Sequence, residues 1–234
     1  MTRSILILCA LFFAGISIAQ KPFEGIIDMT TVNNEIQEKA DIKWYIKNGN
    51  HRLEYSGTKA GESYSYIFLI AAGNNLMQML SDADGKKVVY EIPQDAITNS
   101  IKPGYGSEIQ KTDDTKLVSG YSAIKMKVES PDKISTVWVS DKTPINMHDM
   151  PAILLSSSVL KNLKEKGINA IPLEINSANT GGNLLYSQKI TSIKKQSVSD
   201  DKFKVPAEYQ PLNKNMQVQP ADPNQMQNSN PKGN

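Results

Sequence analysis

Between residues 23 and 194, apolar and polar side chains alternate with a period of two, broken at short intervals by turn dipeptides. This is the pattern of half-buried β-strands joined by tight hairpins. It predicts strands at 23–32, 41–47, 52–58, 64–71, 76–80 and 86–92. In the second of these, Ile42, Trp44 and Ile46 share one face and Lys43, Tyr45 and Lys47 the other. Asn48-Gly49 and Asp84-Gly85 suit the positive φ angles of two-residue hairpin turns, so this half reads as an antiparallel meander. Segment 64–71 is apolar on both faces and requires cover on both.

From Pro93 to about Thr115 the alternation fails, which predicts a long excursion over the sheet with one helical turn near 94–98. Strands resume at 116–119, 121–129 and 134–140. One helix follows, with Asp149 capping its first turn, Pro151 within that turn and Gly167 ending it. Its apolar stripe is Ala152, Leu155, Val159, Leu160 and Leu163. Strands at 168–175 and 184–194, joined by Gly181-Gly182, close the domain. The predicted fold is mainly β (α+β): a curled antiparallel sheet forming an unclosed half-barrel, with one main helix on its concave side.

The two ends read differently. Arg3, the apolar run 5–13 and Ser17-Ile18-Ala19 predict a secretory signal peptide at 1–19, too short to span a bilayer. Residues 20–212 form the expected single domain. Residues 213–234, rich in Asn, Gln and Pro, cannot bury enough surface to offset ordering entropy and read as a disordered tail. The only cysteine, Cys9, leaves with the signal, which excludes a disulfide framework, a thiol nucleophile and a Cys-ligated metal from the mature chain. A net charge of +2, with Arg52 the only arginine after Arg3, lacks the concentrated basic face of a nucleic-acid binder.

No catalytic constellation emerges. His51 and His148 are the only imidazoles, no serine sits in a nucleophile elbow, and His51 reads as an exposed loop residue after the Asn48-Gly49 turn. Asp113-Asp114 and Asp200-Asp201 read as solvated, and Asp82, Asp84, Gly85 and Glu91 as a hairpin rather than a calcium loop. Met147-His148-Asp149-Met150 has copper-compatible side chains, but it reads more simply as two apolar residues around a helix cap. What remains is a set of aromatic and soft side chains expected on the concavity. These are Trp44, Tyr66, Phe68, Met77, Met79 and Trp138 on strands, with Leu155 and Val159 on the helix. Taken singly, each of them reads as plain core; the expectation concerns the set.

Three stretches carry a family resemblance: Phe23-Glu24-Gly25-Ile26-Ile27; Lys116-Leu117-Val118-Ser119-Gly120-Tyr121 with Lys125-Met126-Lys127-Val128 and Val137-Trp138-Val139; and Phe203-Lys204-Val205-Pro206-Ala207-Glu208-Tyr209. Together they resemble an uncharacterised family of exported proteins from Gram-negative bacteria, similar to the periplasmic carriers of outer-membrane lipoprotein sorting. The resemblance implies an unclosed barrel around a hydrophobic cavity, a periplasmic address and no catalysis. The expected function is therefore a non-enzymatic periplasmic binding protein, without cofactor or metal, holding a lipid or acyl chain. The alternative is an envelope protein-interaction module whose core is filled by its own side chains.

Overall fold

Two-residue turns of left-handed backbone set the hairpins that the alternation requires. Asn48-Gly49 (φ 50° and 74°) joins the second and third strands, and Ala60-Gly61 (φ 50° and 89°) joins the third and fourth. The computed structural model describes residues 22–83, 85–100, 108–155 and 158–212. The expected signal peptide and tail lie outside them. The strands are β1 (Gly25–Asn33), β2 (Glu38–Lys47), β3 (Asn50–Lys59), β4 (Glu62–Ile70), β5 (Leu76–Ala83) and β6 (Lys86–Pro93), followed by helix α1 (Gln94–Ser100). Then come β7 (Glu108–Val118), β8 (Tyr121–Glu129), β9 (Lys133–Ser140), helix α2 (Ser158–Glu165), β10 (Ile171–Asn179), β11 (Leu184–Lys195) and the two-residue β12 (Gln210–Pro211).

All twelve strands form one sheet in the order β12-β6-β5-β4-β3-β2-β1-β11-β10-β9-β8-β7. Every pairing is antiparallel except that of β12 with β6. The sheet is unclosed, with β7 at one edge and β12 at the other. Its curl is evident in the core. Ile42 and Phe68 from one half and Met126 and Val137 from the other belong to a single buried cluster, together with Leu160 and Leu163 of α2. The half-barrel predicted from sequence is the fold observed, and the helical segment fills its concave side.

Three local expectations need correction. The strand expected to begin at Lys116 begins at Glu108, so much of the supposed loop is β7. An edge strand needs little burial, and charged residues with a bulge between Lys111 and Thr115 guard it from further pairing, which hides it from a search for alternation. The single helix from Pro151 to Gly167 is replaced by two 3₁₀ turns, Met147–Asp149 and Ala152–Leu155, and the short α2. Pro151, between the two 3₁₀ turns, has no N–H to donate back and separates them. The cap is Asn146 rather than Asp149: Asn146 Oδ1 accepts from the His148 N–H (2.8 Å) and Asp149 Oδ2 accepts from the Asn146 N–H (2.8 Å).

The two-sided apolar strand receives its two covers. Tyr66, Phe68 and Ile70 of β4 face the concavity, while Leu69, with Leu80 and Val89, packs beneath Val205 and Tyr209 on the convex face. The segment that follows β11 thus straps the outside of the sheet. Lys47 ties it down through Asp200 (2.8 Å) and the Val198 carbonyl (2.8 Å). Buried Arg52 donates to the Lys202 carbonyl (3.0 Å) and pairs with Glu54 (2.6 Å).

Candidate functional site

The concave face is organised in rows that cross the strands. The central row runs Ile193, Ile27, Trp44, Leu53, Phe68, Met79. Toward the lower end follow Ile190, Met29, Ile42, Tyr55 and Tyr66, then Gln188, Thr31, Ala40, Gly57 and Tyr64. Toward the upper end lies Lys195, Gly25, Ile46, His51, Ile70, Met77, Ile92. The helical connection between β9 and β10 leaves and rejoins the sheet at this upper end.

Of the eight residues expected to bind a ligand, Trp44, Phe68, Met77 and Leu155 are buried within one packed cluster. Tyr66, Met79 and Val159 are half-buried against it. Trp138 is half-buried too, but strand alternation turns it outward from buried Val137 and Val139. Its register partners are Lys125 and Glu174, and the Lys116 ammonium stands 4.3 Å from its ring centre. Seven of the set therefore share the concave side and Trp138 does not. Met147 and Met150, weighed as copper ligands, are buried among the same core residues.

At the lower end the lining is aromatic and hydroxylated. The Tyr55 and Phe68 rings meet edge to face at 5.4 Å, and those of Tyr64 and Tyr66 stack at 5.1 Å. Tyr64 donates to Glu38 (2.5 Å) and Tyr186 to Gln188 (2.7 Å). Burial pushes the Tyr55 phenol well up, and that of Tyr186 to about 12. Small residues make room beside these rings. A Cβ on Gly57 would fall on the Lys39 carbonyl oxygen, so β2 and β3 approach closely there only because Gly57 has none.

The upper rim holds a cleft of about 870 Å³ between the Asn48-Gly49 turn and the segment from Asp141 to Asp149. A second cavity of about 310 Å³ shares Gly49, His51, His148 and Asp149 with it and extends to Asn74 and Gln94. Sequence reasoning missed the central residue of this groove. His51 is no loop residue but lies on β3 opposite Ile46, half-buried, where its Nδ1 accepts the Trp44 indole N–H at 3.1 Å. That bond occupies the Nδ1 lone pair, so the ring carries its proton on Nε2. Burial lowers the His51 pKa to about 4, with nearby Asp149 pulling the other way. At neutral pH His51 is thus an uncharged N–H donor, unsuited to act as a base or to ligate a metal through Nε2. The detectable signal was the hairpin register: the Asn48-Gly49 turn places position 51 in the same alternating set as Leu53 and Tyr55.

Among the described residues, no three His, Cys, Asp or Glu side chains are grouped to hold a metal ion, and no helix is long and apolar enough to cross a membrane. No curated protein matches the chain. Several solved structures are similar to it. One is a chain of the MucA/MucB complex of Pseudomonas aeruginosa (TM-score 0.44, 12% identity, 80% of this chain and 57% of that one). Another is an uncharacterized conserved protein from Thermus thermophilus (0.49, 10%, 82% and 90%). A third is an outer membrane lipoprotein-sorting protein domain from Vibrio parahaemolyticus (0.31, 10%, 79% and 90%). This chain spans little more than half the length of the MucB chains it matches. Residues 23–209, the half-barrel from β1 to β11 with most of its strap, match the domain of unknown function DUF4412, and the chain belongs to that family.

Proposed function

We propose that this chain is a non-enzymatic binding module of the bacterial cell envelope, exported by residues 1–19, whose half-barrel is filled from within and which engages its partner at the upper rim. The observation that carries this reading is the packing of the concavity. Trp44, Leu53, Leu160, Leu163 and Leu173 are all fully buried in one cluster, so the chain's own side chains occupy the volume that a carrier would keep for its cargo. The groove at the rim is where polar and apolar groups converge instead.

A second reading is favoured by the lower end. There Tyr55, Tyr66 and Tyr186 are only half-buried, a surface suited to a lipid or acyl chain held partway into the barrel. Each methylene covered would contribute roughly 0.8 kcal/mol. A fluorescent acyl probe, dansylundecanoate, separates the two when titrated into the mature protein. The first reading predicts no saturable enhancement of fluorescence at micromolar probe. Stoichiometric binding that is lost in a Tyr66→Asp variant would establish the second and overturn the first.

A further inference from the structure

The chemistry of the rim groove defines its occupant more closely, on the reading that the rim is the binding surface. The upper row of register partners crosses β11, β1, β2, β3 and β4 from Lys195 to Ile70. At about 4.8 Å between strands, four steps make a path of roughly 19 Å, the reach of about six residues of extended chain. The two cavities lie along this row and meet at His51. The groove therefore runs perpendicular to the strands, and its shape is that of an extended segment.

Its lining excludes other classes. Ile46 and Ile145 give an apolar floor, but Asn48, His51, Thr143 and Asn169 also face the space. An acyl chain laid there would strip water from the Asn48 and Asn169 amides and the His51 Nε2–H and return no hydrogen bonds. A phosphate or other compact anion would find Lys195, but also Asp141 and Asp149. What satisfies intermingled donors and acceptors above an apolar floor is peptide backbone. The side chains of Asn48 and Asn169 make no hydrogen bond to any described residue, and each offers both a donor and an acceptor.

We propose that the rim groove binds an extended peptide of about six residues, with its backbone read by the Asn48 and Asn169 amides and one carbonyl seated on the His51 Nε2–H. Trp44 is a positioning residue: its indole N–H holds the imidazole in the tautomer that presents this donor.

The test uses the ¹⁵N-labelled mature chain and a capped heptapeptide selected on it from a randomised library. Titration should shift the His51 Nε2–H and the Asn48 and Asn169 side-chain amides together. Asn169→Trp, which fills the groove at a side chain that holds nothing else in place, should weaken binding at least tenfold with Tm unchanged. Selection of no peptide, or equal binding by Asn169→Trp, would overturn the assignment. Dansylundecanoate run in parallel separates the two levels of failure. Probe binding that Asn169→Trp abolishes keeps the rim as the site and refutes the peptide class. Probe binding indifferent to that variant refutes the rim as well.

Discussion

The two ends of the half-barrel are built from the same alternating strands yet packed in opposite ways. At the upper end the sheet is closed on both faces. Leu160 and Leu163 sit fully buried against the inner side, and the strap after β11 is fastened to the outer side through Lys47 and Arg52. At the lower end the inner face carries half-buried tyrosines beside Ala40 and Gly57. On the proposed reading, the more closely packed upper end, with a polar groove along its rim, is the one that recognises a defined partner. A looser aromatic end has fewer contacts to lose and correspondingly less to specify.

Truncation should reveal the contrast most strongly. Leu163→Ala deletes a fully buried side chain and should lower stability by about 2–5 kcal/mol in urea unfolding. Tyr66→Ala at the lower end should cost less than half as much, and equal losses would abolish the distinction between the ends. Arg52→Ala removes the clamp on the strap and leaves the Lys202 carbonyl unpaired. A loss of about 2–3 kcal/mol is expected, with faster amide exchange confined at first to residues 198–209.

Acid should weaken the upper end next. His51 has its ordinary value of 6.5 when unfolded and about 4 when folded, so between these values the unfolded chain binds the extra proton. Stability from this group is complete above about pH 6.5 and is lost as pH falls toward 4, on the order of 3 kcal/mol in all. Urea midpoints at pH 7 and pH 4.5 measure it, and His51→Gln should flatten the slope across that window. The smallest effect belongs to the lower end: Tyr64→Phe removes the bond to Glu38 and should cost about 1 kcal/mol, with unfolding otherwise unchanged.

How far the sequence disclosed this molecule follows the same physical division. Hairpins marked by Asn48-Gly49 and Gly181-Gly182, and strands with one buried face, were legible because local turn chemistry and a period of two specify them without help from distant residues. Only the last residues of β7, from Lys116, were legible, since the part of this edge strand bearing Glu108, Lys111, Asp113 and Asp114 has no alternation to display. The strap was also invisible. Two of its apolar anchors, Val205 and Tyr209, acquire meaning once Leu69 and Leu80 are seen facing outward. The residues expected to bind a ligand share the concave side, apart from Trp138. Whether such residues line a pocket or fill a core depends on the volume of the helical segment above them, which periodicity does not encode. His51 was misread for a related reason: the importance of a histidine on a strand depends on what lies across the hairpin, here the Trp44 indole.

The central claim is that the half-barrel is filled by its own side chains. Native mass spectrometry tests it most directly, on mature protein purified without detergent from its own cell envelope and measured again after organic extraction. The account predicts a bare chain at its sequence mass in both spectra. A stoichiometric apolar adduct that disappears on extraction would contradict it and make the interior a carrier's cavity after all.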